Sequence, residues 1–415
     1  MTTISPATVA HKVPPTELTD TEAPIDVIRL RAYRLERVRQ QLKAHDYAAC
    51  LLIDPINIRY ATGSRNYTMF QLHTPSRYLF VPAEGGVVLF DAEVVHPVAR
   101  GLETIQELRP AKLFNFFFSG PRLKEGIDAW AGELSDLFHA QARGNMRLAV
   151  DRCDPLCAEA LRSRGIDLVD GQGPLELARS IKSAEEVLCM NVAISVADIA
   201  MARMRSALVP GISENELWSI LYQTNVAMGG EWLDARYLVS GDRTNPWFQE
   251  CSARRVRPGD LIAFDTDMLG PFGYCADISR TFHCGPGRPT AYQRELYKRA
   301  HEELLHNLNL IRSGLSFREF AERAFRQPDQ FVGNRYMLLA HGVGMCDEYP
   351  SIYHRQDYDR VGYEGTLEAN MTICLESYVG AVGGKEGVKL EQQILVTEGG
   401  YELLSHFPFE EELLT

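Results

Sequence analysis

RPGDLIAFDTDMLGPFGYCADI, residues 257–278, is where the fold becomes readable. Arg257-Pro-Gly-Asp260 has the residue types of a tight turn, and it feeds Leu261-Ile-Ala-Phe264, a wholly apolar run of strand length. That strand delivers Asp265 and Asp267 at its end. Alternate strand residues share a face, so both carboxylates are expected to point at one site. Gly270, Pro271 and Gly273 supply a reversal, and Tyr274 to Ile278 reads as a return strand that brings Asp277 opposite them. Three carboxylates a few ångströms apart raise one another's pKa, a conflict that cations relieve.

Three more residues join them from further along the chain. His341 opens His341-Gly-Val-Gly-Met-Cys-Asp347-Glu-Tyr-Pro350. Glu376 follows Met371-Thr-Ile-Cys-Leu375, an apolar strand whose inward end is a poor place for an unpartnered charge, and Glu391 lies similarly within Val388–Val396. Taken singly, an Asp-x-Asp is most often a solvated turn and a histidine a satisfied core residue. Taken together, Asp265, Asp267, Asp277, His341, Glu376 and Glu391 offer enough oxygen and nitrogen for one or two divalent ions. Hard carboxylates with one imidazole suit iron or manganese, and zinc and cobalt are also served by such sets. A pair of such ions can grip a substrate carboxylate.

The 415 residues are 45% hydrophobic and 24% charged, which leaves room for two domains with sizeable cores. A net charge of -12 repels phosphate backbones and anionic lipid, so neither nucleic acid nor a membrane surface is an expected partner. Nine scattered cysteines, an odd number, read as free thiols in a reducing, cytoplasmic compartment. There is no basic head followed by an apolar run, and no stretch nears the roughly 18 uninterrupted apolar residues of a membrane helix. Residues 1–24, rich in Thr, Pro and Glu, are expected to form a tail or arm. From 25 to 172, a helix, a buried strand at 48–53 and further strands at 78–81, 87–90 and 147–150 alternate with helical stretches such as 121–140. That order predicts an α/β domain, closing where Gly171-Gln-Gly-Pro174 breaks the periodicity. From 173 to 415, capping boxes at Ser183-Ala-Glu-Glu186 and Ser213-Glu-Asn-Glu216 open two helices, and strands near 236–240, 261–267 and 372–376 complete an α+β domain.

Asp54-Pro-Ile-Asn57 through Tyr60-Ala-Thr-Gly63, Arg179-Ser-Ile-Lys182-Ser-Ala-Glu-Glu186, Asp265 through Thr281, His341-Gly-Val-Gly344, Glu376 and Lys389-Leu-Glu391 carry a family likeness. Over nearly its whole length the chain resembles the pita-bread superfamily of methionine aminopeptidase, prolidase and creatinase. The resemblance implies an α+β pita-bread catalytic domain behind a creatinase/prolidase-like N-terminal domain. It also implies a homodimer in which Asn66-Tyr67, or their neighbours, reach the other subunit's site.

Three departures separate the chain from the peptidase members. Where those have a second, substrate-contacting histidine after the metal histidine, this chain has Asp347, in a segment one residue shorter. Another family histidine, expected before the first metal aspartate, is replaced by Gly241-Asp-Arg-Thr-Asn-Pro-Trp247-Phe248. Asp267 adds a carboxylate where the family has a small residue. With these departures the chain is similar to the dimethylsulfoniopropionate lyases of the DddP type, which cleave a small zwitterionic sulfonium to dimethyl sulfide and acrylate. That resemblance implies the six metal ligands above, tilts the metal to iron, makes Asp347 the catalytic base, and has Tyr336 help position the substrate.

The chemistry of a β-elimination agrees with that assignment. A base must remove a proton α to a carboxylate, and metal coordination of the carboxylate acidifies that proton. Burial beside Met345 and Tyr349 would raise the pKa of Asp347, while bound metals would pull it down. Trp247, Phe248, Tyr336 or Tyr349 would hold the sulfonium by cation–π attraction, roughly 0.5 to 2 kcal/mol per contact. The runner-up is a dinuclear metallopeptidase of the Xaa-Pro aminopeptidase or prolidase type. A metal-free binding module is a third reading, against which the full set of ligand positions argues.

Overall fold

The computed structural model describes residues 25–415, so the expected arm at 1–24 lies outside the described residues. The first domain is built on a six-stranded mixed sheet, in the order Glu107–Pro110, Val88–Asp91, Tyr78–Pro82, Ala49–Leu52, Arg147–Val150, Asp167–Asp170. Its central strands are apolar without alternation because both faces are covered. Cys50, Leu52, Leu79 and Val81 face the helix Val27–Ala44, while Ala49, Leu51, Phe80 and Phe90 face Trp130 and Phe138 of Leu123–Gln141.

Gly171-Gln-Gly-Pro174, expected to be a break, instead opens a helix, Gln172–Ser180. Asp170 accepts from the amides of Gln172 (3.1 Å) and Gly173 (2.9 Å), and Pro174 falls in the first turn, where its missing N–H costs nothing. The link between the domains is therefore a stiff element.

Both expected capping boxes are formed, Ser183 with Glu186 and Ser213 with Glu216, at the heads of Ala184–Ala207 and Glu214–Ala227. The first of these helices is long and apolar enough, by length and composition, to cross a membrane. Its apolar residues serve packing, since Met190, Ala193, Ile194, Ala197 and Met201 lie in the main core. All nine cysteines are free thiols.

Two sheets frame the site. One is Ser279–His283, Leu261–Asp265, Leu238–Ser240; the other runs Asp347–Tyr353, Leu338–Val343, Thr372–Gly380, Gly387–Val396, Tyr401–Leu403. In the second, period-2 alternation separates two kinds of buried residue. Ile373, Leu375, Val379, Val388, Leu390 and Ile394 pack on the helix Ala291–Leu308 through Leu296, Ala300 and Leu304. Cys374, Glu376, Tyr378, Lys389, Glu391 and Gln393 hold the opposite face, where nearly every side chain is polar.

Candidate metal centre

Asp265 ends its strand opposite Ser279. Thr266 then fixes the turn, its hydroxyl donating to the Ala276 carbonyl at 2.7 Å and accepting from the Ile278 amide at 3.0 Å. Asp267 does not continue the strand as alternation predicted. It turns into the left-handed region (φ 36°), with its carbonyl accepting from the Asp234 amide at 3.0 Å. The two aspartates share a site because the backbone turns between them. Asp277 lies between the short return strands Cys275–Ala276 and Ser279–His283, its amide donating to Gln393 Oε1 at 3.0 Å.

From the second sheet, Glu376 and Glu391 are directly opposed across neighbouring strands, and His341 is opposed to Cys374. Like charges so placed repel unless a cation lies between them. His341 Nε2 is 3.4 Å from Glu376, and 3.6 Å from both Asp277 and Glu391. Donor atoms fall into three overlapping sets, each within 4.8 Å: Asp277, His341, Cys374, Glu391; Asp265, Glu376, Glu391; and Asp265, Asp267, Asp277. The Cys374 thiol itself donates to the Asp277 carbonyl at 3.6 Å.

All six ligand positions expected from the sequence thus converge. One buried oxygen on each of Asp265, Asp267, Asp277, Glu376 and Glu391 has no hydrogen-bond partner among the described residues. Orphaned carboxylate oxygens aimed into one cluster, with a single imidazole, fit hard divalent cations. Electrostatics agrees. Burial, then Glu391, pushes Asp265 up to about 7, and burial with neighbouring carboxylates raises Asp267, Asp277 and Glu376 as well. Glu391 is the exception: burial opposes its charge, yet Lys389 and His341 hold it below the usual range.

Lys389 is the residue that the sequence reading passed over, as one letter of a motif. Its fully buried ammonium donates to Glu376 (2.6 Å), Glu391 (3.0 Å), Asp265 (3.2 Å) and Ser279 Oγ (2.6 Å). Each of the three carboxylates gives one oxygen to Lys389 and keeps its orphan oxygen free. The ammonium therefore holds these three carboxylates from one side, and their orphan oxygens, with those of Asp267 and Asp277, are left for divalent ions. Its signal was position: two residues before Glu391 on a buried strand, it shares that glutamate's face.

Asp347 stands at the mouth of the centre, its carboxylate 3.7 Å from His341 Nδ1. The expected burial beside Met345 and Tyr349 is not there: the Asp347 side chain is 65% exposed. Desolvation by the cleft walls still raises its pKa, against the pull of His341 and with help from Glu391 and Glu348. Tyr336 faces the same cluster, and burial followed by four carboxylates raises its hydroxyl far above the ordinary tyrosine range, so it is a proton donor in hydrogen bonds. Lys389 Nζ lies 4.7 Å from the Tyr336 ring centre and 5.8 Å from that of Trp247.

Of the expected sulfonium aromatics, Phe248 is 44% exposed and packs on Tyr336 (5.4 Å between rings) and Tyr237 (5.7 Å). Trp247 is buried behind it against Tyr378, with Lys389 on its ring. Tyr237 is an addition with no signal in its local sequence; its carbonyl accepts from the Asp265 amide at 2.9 Å. Tyr349 is a correction. A register shift after His341, whose partner is Ser351 while Gly342 pairs with Glu348, turns Tyr349 away from the cluster. It stacks on Tyr363 (5.8 Å) and meets Phe317 (6.0 Å) instead.

The family model for metallopeptidase family M24 matches residues 188–398, and that for the creatinase/prolidase N-terminal domain matches 34–181. The chain is 37% identical over 394 residues to the dimethylsulfoniopropionate lyase DddP of Roseovarius nubinhibens, covering 94% of this chain and 88% of that protein. It is 34% identical, with the same coverage, to the enzyme of that name from Roseobacter denitrificans. Among solved structures, an Xaa-Pro dipeptidase from Bacillus anthracis superposes with a TM-score of 0.74 at 21% identity, covering 92% of this chain and 99% of that one. The prolidase from Pyrococcus horikoshii gives 0.71 at 20%, covering 91% and 99%. At such identities these two speak for the fold alone.

Proposed function

This chain belongs to metallopeptidase family M24, with a creatinase/prolidase N-terminal domain, and on that premise we propose that it is a metal-dependent carbon–sulfur lyase acting on dimethylsulfoniopropionate. One observation carries the reading: five carboxylates with orphan oxygens form one cluster with His341, and a further carboxylate, Asp347, stands at its edge. A hydrolase of the peptidase type would need an imidazole at that place; an elimination needs a base.

Asp265, Asp267, Asp277, His341, Glu376 and Glu391 would hold the metal. When bound, the ions supply Lewis-acid polarisation of the substrate carboxylate, which acidifies the carbon beside it. Asp347 takes the proton from that carbon, the released electron pair forms the carbon–carbon double bond, and the carbon–sulfur bond breaks to give acrylate and neutral dimethyl sulfide. The raised pKa of Asp347 favours this transfer. Phe248, with Tyr237 and Tyr336 beside it, presents ring faces to the sulfonium, an attraction that ends when the neutral sulfide leaves. Lys389 holds three ligand carboxylates in place through their other oxygens.

The donor set is consistent with iron, with manganese, zinc and cobalt as competitors. We read the chain as a cytoplasmic homodimer. Free cysteines support the first, and exposed Tyr67, Phe70, Phe116 and Phe117 on the N-terminal domain support the second. The test is headspace release of dimethyl sulfide from dimethylsulfoniopropionate by purified protein, with elemental analysis and a parallel assay on an Xaa-Pro dipeptide. Sulfide release without dipeptide cleavage is expected; dipeptide cleavage without sulfide release would return the chain to the prolidases.

A further inference from the structure

Asp347 and Glu348 are neighbours with opposite surroundings. Asp347 is at the mouth of the cleft, while the Glu348 side chain is 1% exposed beneath the same hairpin. That hairpin joins Leu338–Val343 to Asp347–Tyr353, with Val343 opposite Asp347 and only Gly344-Met-Cys346 at the tip. The Cys275 amide, two residues from Asp277, donates to the Gly344 carbonyl at 2.7 Å, and the Met345 amide donates to Glu348 Oε1 at 3.0 Å. A Cβ at position 344 would overlap the Glu348 carboxylate, so the tip closes onto it only because Gly344 has none.

What holds Glu348 comes from the link between the domains. Arg179 Nε and Lys182 Nζ each lie 3.1 Å from its carboxylate, with side chains 4% and 2% exposed. Lys182 also donates to the Arg179 carbonyl at 2.6 Å, and its amide donates to the Asn370 carbonyl at 2.9 Å. Arg179 reaches back to Asn57 of the N-terminal domain, and Glu176 accepts from the Tyr349 amide at 2.8 Å. The stiff helix Gln172–Ser180 and the residues just after it thus grip the base-bearing hairpin at Glu348 and Tyr349, the two residues that follow Asp347. The Arg179-Ser-Ile-Lys182 stretch, which the catalytic account leaves idle, gains a task.

We propose that Arg179 and Lys182 act through Glu348 as positioning residues for Asp347, so that seating of the interdomain link and alignment of the base are one event. This rests on Asp347 being the base. The experiment is steady-state kinetics and metal content of the full-length, metal-loaded Glu348→Gln, Lys182→Met and Lys182→Arg proteins. The first two are measured also on an Asp347→Asn background. In Glu348→Gln and Lys182→Met, kcat should fall about 10²-fold, the loss that about 1 Å of misplacement brings, with KM and metal content unchanged. Lys182→Arg should restore most of it, and neither loss should recur on the Asp347→Asn background. Normal kcat in both variants, with Asp347→Asn inactive, would overturn the positioning role and leave the base in place. A fully active Asp347→Asn would overturn the base, and this inference with it. A loss that recurs on the Asp347→Asn background, or that follows metal loss, would reduce Glu348 to general support. Should Glu348→Gln fail to fold, Lys182→Met alone decides.

Discussion

Replacing Lys389 by Met removes a charge and almost nothing else. The thioether keeps the stem length, so packing against Tyr336 and Trp247 survives, while Glu376, Glu391 and Asp265 lose a donor at 2.6, 3.0 and 3.2 Å. All three are almost fully buried. Removing one partner from a buried ion pair costs about 3 to 5 kcal/mol, because the remaining charge is left uncompensated. At about 2 to 4 °C per kcal/mol for a domain of this size, the metal-free variant should melt roughly 10 °C below the wild type. Divalent ions neutralise the mutual repulsion of the same carboxylates, so loading should recover most of the deficit, and the gap between metal-free and metal-loaded melting should widen. Thermal unfolding followed by circular dichroism, with chelator and then with excess metal, reads both numbers. A metal-free variant melting within about 2 °C of wild type would mean that the desolvation cost of Lys389 cancels its attraction, and the reasoning would fail.

His341→Ala should deplete metal and lower stability together, since it leaves the carboxylates without their imidazole; unchanged metal in elemental analysis would contradict the ligand set. Phe248→Leu should raise KM by about 2- to 30-fold, the equivalent of roughly 0.5 to 2 kcal/mol, and initial rates that show no change in KM would remove Phe248 from sulfonium binding. His354 supplies a pH dependence. Its ring contacts the Tyr336 carbonyl at 2.9 Å, and burial, then Arg335, pushes its pKa down to about 4, against about 6.5 in the unfolded chain. Between those values the unfolded chain binds the proton and the native protein does not, so stability is lost as pH falls from 6.5 to 4, by about 3 kcal/mol in all. Urea unfolding at pH 7.5 and 4.5 should show that loss shrinking in His354→Gln; an equal loss in both proteins would assign it elsewhere.

The ligand set was legible because each residue contradicts its local surroundings. An aspartate at the end of an apolar strand, or a glutamate inside one, asks for a partner, and period-2 alternation tells which residues share it. The same logic would have reached Lys389, two residues before Glu391, had the lysine been asked where a buried ammonium finds its acceptors. Tyr349 was misread because a register shift is invisible in a sequence, and one residue of slip reverses a face. Asp267 was found for an incomplete reason: its position depends on a left-handed turn, not on strand geometry. Gly171-Gln-Gly-Pro174 looked like punctuation, since Gly and Pro usually are, yet Asp170 caps it into a helix. The grip of Arg179 and Lys182 on Glu348 spans residues 166 positions or more apart and has no local signature.

The most direct measurement is dimethyl sulfide released by metal-matched wild type and Asp347→Asn. A metal centre beside a free carboxylate base predicts that the variant keeps its metal, binds substrate and releases almost no sulfide. Sulfide release at the wild-type rate, or loss of metal along with activity, would contradict that division of roles between the cluster and Asp347.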